Sequence, residues 1–177
     1  MVSIIVLFYI FVILFAIVGA MRGWSKEILV SFSVILALFL ISVIENLAPY
    51  LKDVFQDESP RQFWFRFVLV LVLVFFGYQT PNISRFEAAA RREKISDSLL
   101  GIFIGAINGY LIFGTIWYFM DFAKYPFKYF SAPLLTDPLG QKAINMISKL
   151  PPAWLGAEPW VYLSVGVAFL FVLMVFI

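Results

Sequence analysis

Glu45, Asp97 and Asp121 each border a long uncharged stretch of this sequence, and carboxylates so placed could serve as general acids or bases or pass protons. They fall on three different connections, however, and a relay needs a chain of such groups across the apolar region. The central parts of the uncharged stretches carry none, apart from the third, which reaches spanning length only by taking in Arg66. Solvated helix boundaries account for the three acids, and Asp97, just ahead of the fourth stretch, suits the positive end of a helix dipole. Histidine and cysteine are both absent. That removes imidazole bases, thiolate nucleophiles, disulfides and the commonest metal and haem ligands. No catalytic, cofactor or metal site is expected, and the chain reads as a non-enzyme.

A second pattern is physical. Gly101, Gly105 and Gly109 recur every fourth residue, which puts three positions without side chains on one stripe of a helix. Another backbone can approach such a stripe closely, and in lipid that packing replaces the hydrophobic driving force. The neighbour is either another helix of the same chain or a second subunit. Asn108 stands beside Gly109, and an amide in hydrocarbon needs a hydrogen-bond partner, so these four residues form the expected helix-packing interface. Gly114 lies off the stripe, so a bulky residue is expected to be tolerated better there than at Gly105.

The elements that carry these residues follow from composition. Of the 177 residues 63% are hydrophobic and only 14% charged, against about 25% charged in an ordinary soluble domain. Spanning a bilayer takes roughly 20 mainly apolar residues, and the uncharged stretches predict five spans, at about 2–20, 28–44, 63–78, 99–120 and 160–177. The fold class is therefore an all-α polytopic membrane bundle with short interfacial helices, a single transmembrane domain over the whole chain. The first stretch has no basic residue before it and a second apolar stretch soon after, so it reads as a retained span rather than a cleaved signal. Arg66 is expected to snorkel from the entrance of the third span to the interface.

The link between the first two spans, MRGWSKE, is short enough for an antiparallel hairpin. Its Arg22 and Lys26 share a membrane face with Arg85, Arg91, Arg92 and Lys94 of the connection before span four, where Ser84 and Glu87 have capping-box spacing for a surface helix. These six cations are expected to contact lipid headgroups. Dense short basic connections favour the cytoplasmic side, which puts the N-terminus outside and the C-terminus inside. With a formal charge of only +2, nothing points to nucleic acid.

On the opposite face, segment 121–159 contains a predicted helix with Asp137 as N-cap, Pro138 at its first position and the Pro151–Pro152 pair as its stop. Leu139, Ala143, Met146, Ile147 and Leu150 make its apolar face. A shorter amphipathic piece is expected after span two, with Leu47, Leu51, Val54 and Phe55 on one side.

Two passages resemble the colicin V production protein family of bacterial inner-membrane proteins. In GAMRGWSKEILVSFSVILALFLI, Gly19, Arg22, Gly23, Lys26 and Glu27 are similar to the family's glycine–arginine–glycine turn and its basic–acidic entry into the second span. In DSLLGIFIGAINGYLIFG, an acid is followed by glycines at every fourth position. The likeness runs over about residues 1–150, including the proline-bearing segment that ends INMISKLPP. The chain departs from the family in lacking an acid early in span one, in carrying Asn108 where many members have arginine, and in adding span five. The resemblance implies an inner-membrane protein linked to toxin production or export and to envelope homeostasis. The partners expected are membrane lipids and other membrane subunits or further copies of the chain, in a scaffold or accessory role; a transporter or channel-like component of envelope export is the alternative.

Overall fold

In the computed structural model, residues 3–47, 59–79, 94–127 and 132–176 are described. They form seven helices: α1 (Ile4–Arg22), α2 (Trp24–Leu47), α3 (Pro60–Tyr78), α4 (Lys94–Phe122), α5 (Pro138–Ile147), α6 (Pro151–Trp154) and α7 (Trp160–Phe176). The bundle is all-helical, and α1 to α4 are long and apolar enough to cross a membrane. Helix α7 is equally apolar but has 17 residues, which at 1.5 Å each falls several ångströms short of a hydrocarbon core about 30 Å thick. The surface helix expected around 85–94 and the amphipathic piece beyond Leu47 lie outside the described residues, as do Arg85, Arg91 and Arg92.

Helices α1 and α2 are joined by one residue, Gly23, whose φ of 86° is a conformation that glycine adopts without penalty. The expected hairpin is modified accordingly. With no loop to bring them side by side, α1 and α2 meet mainly at their junction, and α1 instead runs antiparallel along α4. The glycine stripe supplies that contact. A Cβ on Gly109 would lie 2.8 Å from Val12 Cα, and one on Gly105 2.9 Å from Gly19 Cα. Both helices are glycine at the crossing, since a Cβ on Gly19 would itself fall 2.8 Å from Gly105 Cα. Further along, Phe11 stacks on Phe113 at 4.7 Å and buried Phe8 meets Trp117 at 5.7 Å.

Helix α2 occupies the centre, antiparallel to α3 and α7 and parallel to α4. Its stripe of Val30, Val34, Ala37, Leu38 and Ile41 is buried, together with Leu111 and Ile112 of α4. The outward faces are apolar too, as lipid requires: Ile13, Ile17, Val68, Phe76, Phe103 and Val167 are all exposed.

Helix α5 has the predicted start, with Asp137 Oδ2 accepting from Gly140 N at 3.3 Å and Pro138 at the first position. Ala143 and Leu150 are buried against the bundle, with Met146 and Ile147 half-buried, whereas Leu139 is exposed. The α6 turn then packs on α4 at Gly114, where a Cβ would come 2.9 Å from Pro151 Cδ. Gly114 is thus a contact position as well, but it meets the side chains of a short turn, whereas Gly105 meets the backbone of a spanning helix. Beyond α4 the chain turns through Lys124 and Tyr125, both at φ 56°. Tyr125 is held there by its N–H to Met120 O, 2.9 Å, and by Trp117 Nε1, which donates to its hydroxyl at 3.2 Å; burial pushes the phenol above its ordinary range.

Candidate functional site

Two polar clusters sit at opposite ends of the bundle. The first begins with Glu27, in the opening turn of α2, where the helix dipole favours a carboxylate. Its side chain is fully buried, a situation that is costly unless the charge is paired and hydrogen-bonded. Arg22 Nη1 of α1 donates to Glu27 Oε1 at 2.6 Å. Asn108 Nδ2 of α4 donates to Glu27 Oε2 at 2.7 Å and to its backbone carbonyl at 2.8 Å. Ser31, one turn along α2, donates to Asn108 Oδ1 at 2.6 Å. Arg22 also donates from Nη2 to the Tyr78 carbonyl at 3.1 Å, with its guanidinium 4.3 Å from the centre of the Tyr78 ring, which brings in the end of α3. One carboxylate thereby ties four helices together.

The junction beside it is fixed from α4. Asp97 Oδ1 accepts from Trp24 N at 3.3 Å, capping α2 from a different helix, and a Cβ on Gly23 would fall 2.8 Å from that oxygen. Ser98 donates to the Ala20 carbonyl at 3.0 Å. A glycine at 23 is therefore required twice, for its backbone angle and for the carboxylate that approaches it.

At the other end Arg66 of α3 is 8% exposed and binds Glu45 of α2 in a two-point pair, Nε to Oε1 at 2.8 Å and Nη2 to Oε2 at 2.9 Å. Its guanidinium lies 4.9 Å from the Phe122 ring centre and 5.1 Å from that of Phe119. The snorkelling expected of Arg66 is corrected: a carboxylate and two aromatic faces hold it inside the bundle. This pair borders an open cleft of about 470 Å³ between α2, α4 and the α6–α7 connection.

Of the residues singled out from sequence, Gly101, Gly105 and Gly109 line the α1–α4 contact, and Asn108 joins the Glu27 cluster. Arg22 turns to Glu27 and Tyr78, Lys26 is half-buried, and Lys94 opens α4. Asp97 caps α2, and Asp121 lies near Tyr125. Glu27 was legible only as the acid in the family-like entry to span two, because it falls in what reads as a connection between spans. The signal for it is helical period: Glu27, Val30, Val34, Leu38 and Ile41 share the buried stripe of α2. Gly19 was visible only as a turn residue, although its partners are the stripe glycines of α4.

Both oxygens of the Glu27 carboxylate are engaged by donors from other helices. The cluster is a cross-brace, and it is built from the two passages noted in the sequence. A sequence model for the colicin V production protein matches residues 3–132. The chain belongs to that family. No curated protein and no solved structure matches it. The colicin V production match covers α1 to α4 and stops before α5, short of the proline-bearing segment to residue 150. Both ion pairs thus lie in the family region, while α5, α6 and α7 lie beyond it. The chain is a multi-pass membrane protein of the colicin V production family.

Proposed function

We propose that the chain is a non-enzymatic scaffold or accessory subunit of a membrane assembly, in the bacterial inner membrane. One observation carries this reading: the charged groups buried at the ends of the spans are paired across helices, and Asn108 and Ser31 join one of those pairs. Glu27, Arg22, Asn108 and Ser31 are mutually satisfied, and Arg66 is matched to Glu45. Between the two ends the interior is filled by Val30, Val34, Ala37, Leu111 and Ile112, all buried. With the glycine stripe occupied by α1, partners would meet the outer faces of the bundle, α7 among them, or lipid. Purification in several mild detergents tests the proposal. A stable co-purifying membrane partner or a defined oligomer is expected, and a lone monomer in every condition counts against it.

A transport role has one observation in its favour, the cleft at the Glu45 end. Proteoliposomes that pass water or small ions faster than those made with an Ala37→Trp variant would favour that rival.

The orientation, with the N-terminus outside, rests on the density of basic residues near Arg22. Single cysteines placed in this cysteine-free chain and labelled in intact cells with an impermeant thiol reagent check it. Ser25 is buried and unsuited, so Glu87→Cys serves for the inner face and the exposed Gln141→Cys for the outer. Labelling at 141 alone is expected, and labelling at 87 alone inverts the topology.

A further inference from the structure

The cleft at the Glu45 end contains more acid than the bundle uses. Arg66 neutralises Glu45, whose side chain remains 27% exposed toward it. Glu158, on the α6–α7 connection, lines the same cleft and forms no ion pair among the described residues. Its Oε1 accepts from Tyr162 Oη at 2.9 Å and from Asn46 Nδ2 at 3.3 Å, neutral donors that aim the carboxylate without cancelling its charge. The net charge of these three groups is −1. Phe119 and Phe122 are engaged by Arg66, and Tyr118 beside them adds a further aromatic ring to the wall, of the kind that attracts cations. At about 470 Å³ the cleft suits a small headgroup.

Its level along the bundle is marked independently. Trp64, Trp154 and Trp160 are all exposed, at the start of α3, the end of α6 and the start of α7. These three positions belong to the same end as Glu45 and Arg66. Exposed tryptophans concentrate where hydrocarbon meets headgroups, so the cleft opens at headgroup depth.

We propose that this cleft binds the primary ammonium of an amphiphile at the membrane surface, with Glu158 and Glu45 as its anionic partners and the α4 aromatics as its wall. The phospholipid amine headgroup and a soluble amine share this chemistry, and the test separates them. The full chain in detergent is titrated with phosphatidylethanolamine, phosphatidylglycerol and free phosphoethanolamine, and binding is read by native mass spectrometry and by thermal unfolding. Phosphatidylethanolamine is expected to bind about tenfold tighter than phosphatidylglycerol, as one added charge-assisted contact implies, and free phosphoethanolamine weakly. Glu158→Gln removes the Glu158 charge and Ser42→Phe fills the cleft while keeping both carboxylates. Each is expected to weaken phosphatidylethanolamine about tenfold with lipid-free unfolding unchanged. Phosphoethanolamine binding as tightly as the lipid would keep the ammonium site and reassign its source to a soluble amine. Equal affinity for the two lipids overturns the proposal, as does full affinity in either variant.

Discussion

The two ion pairs of this bundle are made of the same chemistry and placed in opposite surroundings. At one end Arg22 and Glu27 are closed in by α4, whose glycine stripe draws it against α1 and whose Asn108 takes the second carboxylate oxygen. At the other end Arg66 and Glu45 make a better-aligned two-point contact, yet Glu45 stays partly open to a cleft. Geometry alone would rank the second pair higher. Burial of the carboxylates reverses the order, because Glu27 is fully enclosed and its charge, once unpaired, has no water to receive it, whereas Glu45 beside a cleft can be rehydrated. The closed end is built to hold and the open end to remain accessible.

The largest effect is therefore expected from Glu27→Ala. It leaves the Arg22 guanidinium and the Asn108 amide without their shared acceptor, a loss of about 3–5 kcal/mol by analogy with other broken buried pairs. Accumulation in the membrane and the unfolding temperature in detergent report it. Replacing both ionic partners, as in Arg22→Met with Glu27→Gln, should recover a good part of the loss, since Gln can still meet Asn108. A Glu27→Ala protein as stable as the parent would show that the cluster is not a brace.

Next comes Gly105→Leu. Added bulk there meets the Gly19 backbone, so α1 itself must move, and overpacking of this kind costs about 1–3 kcal/mol. If the cross-brace and the stripe act as one unit, Gly105→Leu combined with Glu27→Ala will cost less than the two losses added together. Strict additivity would separate the stripe from the cluster and weaken the contrast between the two ends.

How far the sequence foretold this arrangement depends on what each signal measures. Apolar stretches report lipid contact, so the four long helices were legible, and the stripe of Gly101, Gly105 and Gly109 was legible because only backbone approach makes glycine useful at that spacing. Charged residues are different. In a hydropathy reading a charge ends a span, and so Glu27 became part of a loop and Arg66 a snorkelling residue. Both are buried because partners on other helices meet them, and no local pattern states where another helix lies. Gly23 could be seen as a turn residue, but the Asp97 carboxylate that approaches it comes from 74 residues away in the chain.

At the open end, Arg66→Met with Glu45→Gln is expected to change stability by only about 1 kcal/mol. Methionine keeps the contact with Phe119 and Phe122, and glutamine remains partly solvated. The unfolding temperature in detergent checks this. A loss as large as that of Glu27→Ala would mean that the cleft is closed in the membrane and that the two ends do not differ.

The smallest effects separate two glycines that lie off the stripe. Gly114 faces Pro151 and Leu150, the latter with a side-chain carbon 3.3 Å from where a Cβ would stand, so Gly114→Leu must shift the α6 turn away from α4. About 1 kcal/mol is expected to be lost, because a short turn yields more readily than a spanning helix. Gly166 of α7 has nothing within 4 Å of its Cβ position among the described residues. Substitution there meets none of them, and removing a glycine from a helix interior is worth about 0.5–1 kcal/mol in its favour. Gly166→Ala should thus leave the unfolding temperature of the purified chain unchanged or slightly raised, and Gly166→Leu should do no harm. The informative measurement is the same pair of variants in cells. If Gly166→Leu lowers accumulation in the membrane while leaving the isolated protein as stable as before, the open face of α7 is covered by another subunit in its native setting. Indifference in both settings leaves that face to lipid, and the scaffold contact must then be sought on α1 or α3.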